Sequence, residues 1–303
     1  MLYGGNILIK KIRTLLDYFK FFKNPISCLL FGFGLISKVE VKLKNTDKTI
    51  NVNDIFVLNK IRTIFHNKKS LSDETINFFN DVYSEKKIIK WLGANILNLH
   101  ELNLKNINYY YFSEYFIGEY WNEFGIDYSG RTVIDLGSNI GDSSLFFAIN
   151  GAEVYGFEPV KYLYNYSLEI INLNDNLKDK IHLFNLAVSN EIGELKINDL
   201  DSTSEYRDTN SYTVEVTTIG KILKENHIDA DVLKMDCEGC EFNIILNTDL
   251  SEFNDIIFEH HSKLVNKDYE LLIHKLKSQG FKINKLEVET ENFDDFGSIH
   301  AYK

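Results

Sequence analysis

From Arg131 onward, short apolar runs alternate with amphipathic stretches. Thr132–Leu136, Glu153–Glu158, His182–Ala187, Val232–Asp236, Asp255–Glu259, Phe281–Val288 and Ser298–Tyr302 predict strands. Helices are predicted over Asp142–Asn150, Lys161–Asn174, Ile219–Asn226, Cys240–Asn247 and Lys267–Gln279. The early strands are almost continuously apolar, as in a parallel sheet covered on both faces. The pattern predicts an α/β fold, a doubly wound, seven-stranded and mostly parallel sheet with right-handed crossovers. No helix separates the last two strands, so they pair antiparallel, which puts one antiparallel strand near an edge.

Upstream the pattern differs, which divides the chain into an accessory region over residues 1–125 and a main domain over residues 126–303. Val39 to Leu43 and Thr49 to Val52 flank Asn45-Thr46-Asp47 and predict a β-hairpin. Asp54 to Phe65 carries Ile55, Leu58, Ile61 and Ile64 on one helical face. His66 to Asp73 reads as a loop, and the stretch on to Phe124 as short helical or irregular pieces. Met1 to Lys23 interleaves apolar residues with Lys10, Lys11, Arg13, Lys20 and Lys23 against the single acid Asp17. That is an amphipathic basic helix, packed on its own domain or resting peripherally on a membrane surface. The apolar stretch Pro25 to Ile36 is too short to span a bilayer, which takes about 20 residues. A cytoplasmic location is expected.

The 303 residues carry a net charge of -11. That acidity disfavours nucleic acid as a partner, because phosphate binding needs basic surface. The three cysteines, an odd and sparse count, fit a reducing compartment. The oligomeric state is left open.

Chemistry concentrates where the first strand ends, in "VIDLGSNIGDSS". Gly137 and Gly141 permit positive φ, Asn139 tolerates left-handed geometry, and Asp142 and Ser143 suit the cap of the following helix. Asp135 suits a cationic ligand. The third glycine of a dinucleotide site is missing, as is a P-loop lysine. Glu158 ends the second strand, 23 residues after Asp135, where an acid accepts ribose hydroxyls. An adenosine ligand with positive charge and no pyrophosphate fits this set, and S-adenosylmethionine is such a molecule.

"VIDLGSNIGDSS" followed by "VYGFEP", "NLAVSN" and "LKMDCEGCE" resembles the FkbM-type family of S-adenosylmethionine-dependent methyltransferases. The resemblance covers about Arg131 to Lys303. It implies a Rossmann-like class I fold, with S-adenosylmethionine as cofactor. It places Asp135, Gly137, Asn139 and Gly141 at the methionine end of the cofactor, Glu158 at the ribose, and Asn185, Ala187 and Val188 at the adenine. Ser138, Asp142 and Pro159 would also belong to the cofactor site.

The fourth strand ends in Asp236, Glu238 and Glu241, where the transferable methyl group would sit. A hydroxyl acceptor needs a base, and Asp236, Glu238 and His260 are the catalytic candidates, with Asp236 also facing the cofactor. Acids at Glu238 and Glu241 also suit a helix N-terminus. No metal is favoured. If a divalent ion binds, Asp236, Glu259 and His260 are its candidate ligands. His261 is expected on the other face of the strand. Cys237 and Cys240 read as small packing residues rather than a zinc or redox pair. The expected activity is O-methylation of a hydroxyl on a sugar, glycolipid or small natural product, a glycan modification. The rivals are a non-catalytic S-adenosylmethionine-binding protein or partner subunit, and a dinucleotide oxidoreductase.

Overall fold

The computed structural model describes residues 15–44, 46–53, 55, 57–59, 61–62, 73–82, 84–98, 124–198, 211–286 and 293–303. The chain divides into two compact units, residues 1–117 and 118–303. In the first, residues 15–21 are helical and precede α1 (Pro25–Gly32). Strands β1 (Val39–Lys42) and β2 (Thr49–Val52) form the expected antiparallel hairpin, with Val41 opposite Ile50. Both side chains are fully buried, so alternation aims one face of the hairpin at the core. α2 (Asp73–Val82) buries Ile76, Phe78, Phe79 and Val82.

A second hairpin follows, β3 (Ile88–Trp91) with β4 (Ala94–Leu97), where irregular or helical pieces were expected. Its two-residue turn, Leu92-Gly93, has both φ angles positive, as a tight hairpin requires. The basic residues before Leu15, the expected loop as far as residue 72 and residues 99–123 lie outside the described residues.

The second unit holds β5 (Thr132–Leu136), α3 (Asp142–Ile149), β6 (Glu153–Phe157), α4 (Lys161–Asn172) and β7 (Ile181–Phe184). Next come β8 (Ala187–Ser189), β9 (Gly193–Asn198), β10 (Ser211–Thr218) and α5 (Ile219–Asn226). The chain continues through β11 (Val232–Met235), α6 (Cys240–Asn247), β12 (Asp255–His260) and α7 (Ser262–Val265). It closes with α8 (Glu270–Ser278), β13 (Lys282–Leu286) and β14 (Gly297–Tyr302). Seven strands form one sheet in the order β13-β14-β12-β11-β5-β6-β7. Only β14 runs antiparallel, against both β12 and β13, second from the edge. This is the α/β class I arrangement expected.

Two features depart from the sequence reading. The third strand ends at Phe184, opposite the end of β6, and the Asn185 side chain just beyond it donates to the Glu158 and Pro159 carbonyls. Ala187 then starts a separate sheet, ordered β8-β10-β9, that was not expected.

The strand order reverses between β5 and β11, and ligands bind at the carboxyl ends of strands flanking such a reversal. Val133, Ile134, Val232 and Leu233 are fully buried there. Each such side chain contributes about 1.5–3 kcal/mol. The opposite end of the sheet is cross-linked by charge. Arg131 pairs with Asp255 at 2.7 Å, His300 meets the other Asp255 oxygen at 2.6 Å, and the Thr132 N–H donates to Asp231 at 3.1 Å.

At the reversal, the two strand ends nearly touch. A Cβ on Gly137, whose φ is +74°, would lie 1.8 Å from the Asp236 carbonyl oxygen. Gly137→Ala should therefore destabilise the fold by more than the ~1–3 kcal/mol of a strained backbone alone. Thermal denaturation should show a midpoint lowered by several degrees, and an unchanged midpoint would contradict the close approach.

Candidate active site

The turn after β5 is built by charge burial. Asp135 is fully buried. It accepts hydrogen bonds from the Ser143 hydroxyl at 2.7 Å and the Ser144 hydroxyl at 2.6 Å, and it pairs with Lys234 at 3.0 Å. Lys234 sits in the middle of the sheet, 1% exposed, and donates to the Gly137 carbonyl at 2.7 Å. Burial by itself would lower the lysine pKa. The Asp135, Asp236 and Asp142 carboxylates outweigh it and raise the pKa, so the ammonium stays charged.

This corrects the expected role of Asp135, because its cation is the protein's own lysine. The expected cap changes too. Gly141, in the left-handed region at φ +83°, is the N-cap of α3 and receives no side-chain cap. Ser143 turns inward to Asp135, while Asp142 lies buried in the first turn of the helix.

Glu158, just past β6, is 5% exposed. One carboxylate oxygen accepts from the Asn139 N–H and the other from the Val160 N–H, both at 2.8 Å. Burial pushes its pKa up to about 7, against the pull of those two N–H groups and of Lys234. The carboxylate thus clamps the glycine turn to the entry of α4. Beside it, the Ser138 hydroxyl oxygen and the Asn139 side-chain oxygen are buried with no hydrogen-bond partner. Asn185 and the Tyr212 hydroxyl both donate to the Pro159 carbonyl, so Asn185 holds the strand end in shape. Ala187 is buried and pairs with Val216 in the small sheet.

On the other side of the reversal, four carboxylates surround one imidazole. His261 Nε2 lies 3.8 Å from Asp236, 3.5 Å from Glu238 and 3.4 Å from Glu259. Its Nδ1 lies 3.3 Å from Glu241, which is fully buried. Burial would lower the histidine pKa, but the Glu241, Glu259 and Asp236 carboxylates push it up to about 11. The surrounding acids favour the protonated ring. Partial burial raises the Glu238 pKa, with His261 opposing the rise and Asp236 and Glu241 adding to it.

His260 lies elsewhere. It is fully buried, stacked on Tyr269 at 4.7 Å and edge-on to Phe293 at 5.1 Å, with its Nδ1 3.0 Å from the Ser262 hydroxyl. Burial, with the charges of His261 and Lys285, pushes its pKa down to about 4. The expected trio of Asp236, Glu259 and His260 is thereby corrected to Asp236, Glu259 and His261. Residues two apart on an extended chain share a face, so Glu259 and His261 point together and His260 points away. The corrected trio offers one ligand atom each, all within 4.8 Å of one another, and would take a divalent cation only with loss of the proton on the ligating His261 nitrogen.

The family model of the methyltransferase FkbM domain matches residues 135–283. Residues 135–283 are a methyltransferase FkbM domain. A crystal structure of methyltransferase FkbM from Methylobacillus flagellatus KT is 15% identical with a TM-score of 0.45, covering 82% of this chain and 60% of that one. TrmK of M. capricolum, solved with S-adenosyl-homocysteine, is 13% identical with a TM-score of 0.34, covering 57% of this chain and 62% of that one. The uncharacterized protein 158B of Sulfolobus islandicus rod-shaped virus 1 is 30% identical over 131 residues, 41% of this chain and 61% of that protein. This chain therefore spans about three fifths of the length of its curated relative and of the Methylobacillus chain.

Within the FkbM domain, the structure gathers Gly137, Ser138, Asn139, Gly141, Asp142, Glu158 and Pro159 around one turn, and Asp236, Glu238, Glu241 and Glu259 around His261. It takes His260 out of that second group. Lys234 was missed as a site residue, although a lysine inside an apolar central strand signals a buried ion pair. Lys234→Met leaves Asp135 buried and unpaired, which should cost about 3–5 kcal/mol. Asp135→Asn on top of it should recover much of that loss. Denaturant unfolding of both variants checks this, and additive losses would contradict the pairing.

Proposed function

We propose that this protein is an S-adenosylmethionine-dependent methyltransferase acting on a hydroxyl of a sugar, glycolipid or other small natural product. The observation that carries the cofactor reading is the turn around Glu158. It is a buried carboxylate already held by two N–H groups, beside the partnerless Ser138 and Asn139 oxygens. These acceptors fit the ribose hydroxyls and ammonium of S-adenosylmethionine. When bound, that cofactor supplies an electrophilic methyl group.

The acid–imidazole cluster then serves the acceptor. Its remaining acid oxygens orient a hydroxyl, and positioning of this kind accounts for much of the rate of a transfer reaction. His261 already carries its proton and so cannot be the base. The proton of the acceptor hydroxyl goes to a carboxylate. Glu238, with its raised pKa and half-exposed side chain, is the favoured base, with Asp236 beside it.

Calorimetric titration with S-adenosylmethionine should show affinity that is level above pH 7. Donation by ribose hydroxyls favours the ionised Glu158, so affinity should weaken as pH falls through about 7. Glu158→Gln should weaken binding and abolish that pH dependence. A wild type that is folded and binds no cofactor would overturn the reading.

Glu238→Gln should keep cofactor affinity and lower turnover by ~10²-fold or more. The assay is a screen of sugar and glycolipid acceptors, run with Mg²⁺ and with a chelator, so that the Asp236–Glu259–His261 trio is tested alongside. Cofactor binding with no acceptor methylated would favour a non-catalytic binding protein.

A further inference from the structure

Cys237 and Cys240 are joined by a disulfide. The sequence reading had them as packing residues. The chain doubles back between them because Glu238 and Gly239 are both left-handed, at φ +55° and +104°, which brings the two Cα atoms within 5.4 Å. Few glutamates adopt that conformation.

We propose that Cys237 and Cys240 are a reversible dithiol/disulfide site, open to a dithiol reductant, that sets the conformation of the loop carrying Glu238. Three observations support it. First, a cross-link between residues three apart closes a very small loop and removes little entropy from the unfolded chain, so its effect is local. Second, α6 does not need the bond. Phe242, Ile244 and Ile245 anchor it in the core, and Glu241 accepts from the Cys237 N–H at 3.0 Å, a bond that involves neither sulfur. Third, both cysteines are partly exposed, whereas Cys28 is buried.

The sulfurs are also unequal. Cys237 Sγ lies 3.6 Å from the buried Glu241 carboxylate. Cys240 is the first residue of α6, where the helix N-terminus stabilises a thiolate as leaving group. A thiolate of the reductant therefore attacks Cys237 Sγ, and the S–S bond breaks with Cys240 leaving as thiolate. The reductant's second thiol attacks the mixed disulfide, expels Cys237 and closes the reductant's own disulfide. Two electrons and two protons pass to the protein. The new Cys237 thiol can donate to Glu241, and Glu238 is released from the ring.

The readouts of this site need neither cofactor nor acceptor. The full chain is equilibrated in oxidised glutathione or in dithiothreitol, alkylated while folded, and mapped by mass spectrometry. The Cys237–Cys240 peptide should gain no alkyl group in the first case and two in the second, with Cys28 unmodified in both. Hydrogen exchange at Glu238, Gly239 and Cys240 should quicken severalfold on reduction, while residues 137–142 stay unchanged. The double variant Cys237→Ser, Cys240→Ser should show the fast pattern in either buffer. Two alkyl groups in the oxidising buffer, or exchange that ignores the redox state in wild type, would overturn the proposal. If S-adenosylmethionine fails to bind but these shifts appear, the cofactor reading falls and this one stands.

Discussion

Lys234 is a cation where water does not reach, and the domain's ligand end is organised around it. An ammonium buried alone would shed its proton or unfold the sheet. Here Asp135 answers its charge and the Gly137 carbonyl takes a second N–H. Both partners belong to β5 or the turn after it, while the lysine belongs to β11. The pair therefore pins together the two strands between which the chain reverses direction. Ser143 and Ser144 complete the Asp135 carboxylate and draw the start of α3 into the same unit. The glycine at 137 is then a requirement of closeness as well as of φ, since Asp236 stands where a side chain would go.

Around this post, two pockets of chemistry differ in charge logic. On the β6 side, Glu158 is a lone acid in a desolvated turn, bonded to backbone N–H groups, and poised to change charge near neutrality. On the β12 side, four acids surround a single imidazole and favour its charged form. The first arrangement favours neutral, hydroxyl-bearing groups. The second favours a proton donor or a cation.

Much of this was legible in the sequence. Helices Ile219–Asn226 and Cys240–Asn247 have the bounds their periodicity predicts, and the missing helix before Ser298 announced the antiparallel strand. The turn around Gly137 and Glu158 was legible because its residue types have few other uses in that order. The small sheet was overlooked, although Val214 and Val216 alternate with the exposed Glu215 in β10. The His260–His261 exchange had a different cause. Adjacent histidines at a strand end differ only in which face they take, and tertiary packing against Tyr269 and Phe293 decides it. Likewise, no residue count reveals that a lysine supplies the cation Asp135 needs.

The ion network at the far end of the sheet has a mechanical consequence. Arg131, Asp231, Asp255 and His300 tie together the N-terminal ends of β5, β11 and β12 and the C-terminal end of β14. The strands are thus stapled at one end, while the other end carries the turns that meet a ligand. With that end held by charge and the opposite end held by the Lys234–Asp135 pair, β5 and β11 are fixed at both ends, and the central strands form a rigid bench under the turns that rise from them.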